Sequence, residues 1–192
     1  MFAPGLPELQ LHVISSTGAA ATTLTVGDAV KLVVDADEPG IHPADATSDM
    51  IWGFLDSFVT AKGLPLELAK SADIDGTFTA AATGDTYVSA TTNSAAAGKK
   101  ISAMVRPGFG VKVSALTDAA IGTTAGSDMV GMYFDILTTD SRKLDESSVS
   151  TTEGNYISLP GRSGSDPTDP TDPTTTRIIA VINEAQIVYG AA

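Results

Sequence analysis

Apolar and polar residues alternate in short runs along most of this chain, and Gly or Pro separates one run from the next. In "KISAMVR", Ile101, Ala103 and Val105 fall on one side of an extended strand, and Ser102, Met104 and Arg106 on the other. The same period recurs in "GTFTAA", "TYVSATT", "FGVKVSAL", "DMVGMYFDILTT", "NYISLPG" and the closing "RIIAVINEAQIVYG". Such spacing predicts an all-β or β-rich fold, a compact antiparallel β-barrel or sandwich.

Three stretches are less regular. Thr23 to Ala36, "TLTVGDAVKLVVDA", places Leu24, Val26, Ala29 and Val30 around a Gly27-Asp28 turn signal, which reads as a hairpin or a bulged strand. "DEPGIHPADATSD" reads as loop by its punctuation. In "MIWGFLDSFVTAKG", Ile51, Phe54, Leu55, Phe58 and Val59 match helical spacing, whereas Gly53 and the β-branched end favour a strand, so both remain open over 50–62.

The ends differ from the middle. Residues 1–20, with Phe2, Leu6, Leu9 and Leu11 among Pro4, Gly5 and Pro7, suit an extended N-terminal arm or, equally, a frayed terminus. Residues 21–160 form the expected β-rich domain, and 161–176 an acidic linker or loop built on three Asp-Pro-Thr triplets. Each proline there removes a backbone donor and holds its predecessor extended, so no helix or central strand runs through it. Residues 177–192 then resume as a C-terminal strand, which pairs either within its own subunit or with a neighbour. No tandem repeat is legible beyond the triplets.

Composition sharpens this picture. Aromatics make up only 6% of the 192 residues, so the core is drawn from small and β-branched side chains. The net charge of −12 sets the average surface against phosphate backbones and anionic lipids, so neither nucleic acid nor membrane is an expected partner. Cysteine is absent, which removes disulfides and thiolate metal sites. The opening "MFAPGLPELQ" has no basic run followed by an apolar one, so no secretory signal is expected there and synthesis in the cytoplasm is.

Catalytic patterns are incomplete. "AAAGKKI" has Asn93 where a phosphate loop needs its first Gly, and Lys100 where Ser or Thr binds magnesium. The acidic groups Asp35, Asp37, Glu38 and Asp73, Asp75 do not complete a calcium loop. His12 and His42 lie outside any nucleophile or zinc motif. No enzyme activity, cofactor or metal is therefore expected. Trp52, with Phe54 and Phe58, lines a sugar or partner surface in one reading and core in the other.

One stretch resembles a known family. "TGDTYVSATTNSAAAGKKISAMVRPG" (83–108), preceded by "IWGFLDSFVTAKG" (51–63), is similar to the small β-barrel head-decoration, or cement, proteins of tailed bacteriophages. The matching residues are Gly84-Asp85, Tyr87-Val88, Ala95 to Gly98, Ile101 to Val105 and Gly108, over about a third of the chain. The resemblance implies a structural virion protein without enzymatic activity. It would bind the major capsid protein on the outer surface of the head and stabilise it, often as a homotrimer. Phe2, Leu6, Leu9, Leu11, Trp52, Ile178, Ile179 and Val181 are the expected partner contacts. The alternative is an acidic β-sandwich module of a surface appendage or fibre that binds carbohydrate or protein.

Overall fold

The computed structural model describes residues 8–14, 22–35, 38–60, 63–65, 76–79, 85–89, 101–118, 130–162 and 177–183, which form strands and turns without a helix. They divide into two compact units, Met1–Pro43 with Trp52–Pro107, and Ala44–Ile51 with Gly108–Ala192. The division cuts across the 21–160 domain drawn from the sequence and takes the C-terminal strand into the second unit.

Unit 1 contains β1 (Gln10–Val13), β2 (Thr23–Thr25), β3 (Ala29–Asp35), β4 (Glu38–Pro43), β5 (Gly53–Thr60), β6 (Gly76–Thr79), β7 (Thr86–Ser89) and β8 (Ile101–Pro107). Five of these make one sheet in the order β1-β8-β5-β3-β4, and the other three make the sheet β2-β7-β6. The larger sheet curls until its two edges meet at a parallel bridge between Ile14 and Ile41. Val30, Leu55, Phe58, Ile101, Ala103 and Val105 fill the interior, joined by Leu24 from β2 and Tyr87 from β7. The Tyr87 and Phe58 rings lie 5.8 Å apart.

Unit 2 contains β9 (Lys112–Thr117), β10 (Tyr133–Leu137), β11 (Asp140–Ser150), β12 (Tyr156–Arg162) and β13 (Arg177–Ile182), closed into a barrel in the order β10-β11-β9-β13-β12. Phe134, Ile136, Leu144, Tyr156, Ala180 and Ile182 are buried in it. The C-terminal strand β13 pairs at home, with β12 on one side and β9 on the other.

The two units repeat one plan. Substituting β9, β10, β11, β12 and β13 for β1, β3, β4, β5 and β8 reproduces all five neighbour relations and the order along the chain. It also reproduces direction, since among the described residues the only parallel contact is β1 with β4 in one unit and β9 with β11 in the other. Residue-level detail agrees. Gly27 N–H donates to the Leu55 carbonyl at 2.8 Å, and Gly131 N–H to that of Ser158 at 2.9 Å. Leu55 N–H returns a bond to Asp28, and Ser158 N–H one to Met132, both at 2.9 Å. Both glycines have positive φ, 97° and 81°. A register shift follows Leu55 in β5 and Ser158 in β12. In this plan the Asp-Pro-Thr run falls in the β12–β13 connection, the counterpart of the β5–β8 connection that carries β6 and β7. Its own conformation lies outside the described residues.

The structure settles one reading left open and corrects two expectations. Residues 53–60 are a strand, and a Cβ at Gly53 would collide with the Arg106 carbonyl on β8. The turn at Gly27-Asp28 forms, with Asp28 Oδ2 accepting from Thr25 N–H at 2.6 Å, but the flanking strands enter different sheets rather than a hairpin. "EPGIHP", read as loop, is strand β4, paired with β3 from Glu38 to Pro43. Pro39 and Pro43 share the parity of Ile41, which bridges away from β3, so the missing donors cost no ladder bond.

Asn155 organises unit 2. It is fully buried, its Oδ1 accepts from Ile136 N–H at 3.1 Å, and its Nδ2 donates to the carbonyls of Thr47 at 3.1 Å and Asp49 at 3.4 Å. Its backbone carbonyl accepts from Asn183 N–H just beyond β13. Asp49 Oδ2 in turn accepts from Asp45 and Ala46 N–H, which folds the 44–51 segment into a compact turn. Asn155→Ala leaves these buried groups unpaired and is expected to lower stability by about 3 kcal/mol, read by urea unfolding. Gly27→Ala and Gly131→Ala force the same disfavoured backbone on an L-residue and are expected to cost a similar ~1–2 kcal/mol each. A large inequality between the two would show that the turns are not equivalent.

Candidate interaction surface

β1 is an edge of the unit 1 sheet. It pairs with β8 from Gln10↔Val105 to Val13↔Ser102, and its C-terminal end approaches β4, with a bridge at Ile14. Residues in register face the same side of a pleated sheet, so Leu11 lies beside Met104 on the outside of the curl, while the buried Ala103 and Val105 face in. Leu9 and Leu11 are 37% and 48% exposed. The neighbouring outer surface carries a surface ion pair, Arg106 to Asp56 at 3.2 Å, a contact of small energetic weight at this exposure.

The other expected contact residues are distributed differently. Trp52 is half-buried and packs against the unit 1 core, in keeping with the core reading. Ile178 is 8% exposed and faces into the unit 2 barrel, so it is not available to a partner. Ile179 and Val181 have the opposite parity on β13 and are half-buried. Phe2 and Leu6 lie outside the described residues. Sequence reading missed Leu64, Met50, Phe109 and Val130, each about half exposed. The signal for Phe109 was present: it stands between Gly108 and Gly110, and the positive φ of Gly110, 67°, turns the chain and leaves the ring at the tip.

Acidic groups gather on the surface of unit 2. Burial pushes the Asp135 carboxyl above its ordinary range, and the nearby charges of Asp145 and Glu153 push it further, against a bond from Asn155 N–H at 3.2 Å. Burial acts the same way on Asp140, but hydrogen bonds from Arg142, with Nε at 2.8 Å, and the charge of Lys143 outweigh it and hold that carboxyl low. Among the described residues no group of three or more His, Asp or Glu side chains is placed to hold a metal ion. Nor is any helix long and apolar enough to cross a membrane. The histidines fall on β1 and β4, and His42 Nδ1 is buried without a hydrogen-bond partner.

No protein-family model matches the chain, and no curated protein or solved structure matches it either.

Because the Asp135 carboxyl is raised, the folded chain holds its proton to a higher pH than the unfolded chain does, and stability falls as pH rises through that window. Asp140 acts in the opposite sense, stabilising above the unfolded carboxylate pKa and losing that contribution in acid. Asp135→Asn keeps an acceptor for Asn155 N–H and removes the half-buried charge. It is expected to raise the melting temperature at pH 7, with the gain disappearing towards pH 3. An equal gain at both pH values would exclude ionisation as the cause.

Proposed function

We propose that this chain is a structural protein that binds the outer surface of a tailed-bacteriophage head and stabilises it, with the major capsid protein as partner. The observation that carries this reading is the repetition of one barrel plan within a single chain, each copy with exposed apolar side chains of its own. Leu9, Leu11 and Leu64 belong to unit 1, and Met50, Phe109 and Val130 to unit 2. Two like modules on one chain suit a partner that itself repeats. Each contact is modest, but docking one module raises the effective concentration of the other, and lattice symmetry multiplies the gain. A protein that binds only the expanded lattice stabilises that state by linkage. The strong negative charge fits an outer surface rather than one facing packaged nucleic acid.

A carbohydrate-binding module would need exposed aromatics in a concave patch, and Trp52, its best candidate, packs against the core. Co-sedimentation with expanded heads, unexpanded heads and immobilised glycans tests the reading. Saturable binding to expanded heads is expected, with Phe109→Ser or Leu64→Ser lowering the affinity about tenfold, the scale of a buried apolar anchor. Binding to glycans without binding to heads would overturn it.

A further inference from the structure

The repeated plan allows the two barrels to be compared position by position, and the comparison isolates β1. Val105 on β8 corresponds to Ala180 on β13, since both pair with the residue before the register shift, Leu55 and Ser158. Gln10 faces Val105 and Val113 faces Ala180, so Gln10 corresponds to Val113. The parallel contacts confirm this register independently, because Ile14 and Thr117 follow four residues later and bridge Ile41 and Leu144. Leu11 therefore stands where barrel 2 has Ser114, and Leu9 where it has Lys112, all four exposed. The fold does not ask for leucine here. Barrel 2 carries the charged and polar side chains that normally protect a strand edge, and barrel 1 carries apolar ones.

We infer that β1 is a pairing edge for β1 of a second copy of this chain, joined antiparallel about Gln10. The segment Glu8-Leu9-Gln10-Leu11-His12 is complementary to itself in that register. Leu9 comes opposite Leu11 of the second copy, Gln10 opposite Gln10, and residue 8, an acid, opposite residue 12, a histidine. An antiparallel partner in this register bonds the outward backbone groups of Leu9 and Leu11, for which the described residues supply no partner. A two-fold axis through Gln10 makes the contact isologous, so it closes at two copies. A five-residue strand pair is a small interface, at the low end of specific contacts, so the association depends on concentration. The pairing does not rest on head binding and is tested without heads.

Light scattering across roughly 1–200 μM, a range set by so small an interface, is expected to show the mass rising from one chain towards two. Leu9→Lys with Leu11→Ser installs the residues that barrel 2 already carries at these positions. It is expected to abolish the rise while leaving the melting temperature unchanged. The chain has no cysteine, so a single introduced thiol reports register. Gln10→Cys is expected to form the intermolecular disulfide under mild oxidation at least tenfold faster than Leu64→Cys, which is also exposed. A single-chain mass at every concentration, a three-chain mass, a dimer that survives the double substitution, or equal cross-linking at 10 and 64 would each overturn the inference.

Discussion

Each barrel in this chain depends on a short parallel seam. Ile14 against Ile41 in unit 1, and Leu116-Thr117 against Lys143-Leu144 in unit 2, bring together the two strands that would otherwise be the free edges of a five-stranded sheet. Without the seam, one face of each sheet would lie open, and a core with few aromatics has few large side chains to cover it. With the seam, small residues such as Ala103, Val105 and Ala180 become fully buried, because a narrow closed sheet needs little volume to fill it. Asp118 N–H adds to the unit 2 seam by donating to the Leu144 carbonyl at 3.0 Å.

Strand content was legible because period-2 alternation survives wherever a strand has one buried face, as it does in Ile101, Ala103 and Val105. It failed where geometry disguised it. In β5 the register shift between Leu55 and Ser57 moves the buried set from Gly53 and Leu55 to Phe58 and Val59. A strand that changes face at a bulge imitates the three- and four-residue spacing of a helix. In β4 the prolines argue for loop unless the strand is known to lie beside only one ladder, and that is a tertiary fact. β11 is mostly polar, with Leu144 its buried residue, so it has no apolar alternation to detect.

The repeat was illegible for a different reason. Equivalent positions hold Val30 and Phe134, Leu55 and Ser158, or Ile14 and Thr117, so the two barrels keep strand order and hydrogen-bond geometry while filling their interiors differently. Only the Val-Gly pairs at 26–27 and 130–131 match in letters, and there the backbone conformation dictates the glycine. The exposed Leu9 and Leu11 were visible as apolar residues. That they mark an edge became apparent only when β1 was seen to pair along its length with β8 and to bridge β4 past its end, at Ile14.

The path of the chain between the units limits how this protein can be dissected or recombined. Residues 44–51 are encoded inside unit 1 yet supply the carbonyls that Asn155 Nδ2 requires. A fragment beginning at Gly108 contains all five strands of the second barrel and lacks that segment, so it carries a buried amide with nothing to donate to. The first barrel, in contrast, has every strand it needs once the ribosome has passed Pro107. The halves are thus not exchangeable cassettes despite their common plan: the second is made last and depends on a piece of the first, so transplanting it alone means transplanting 44–51 as well.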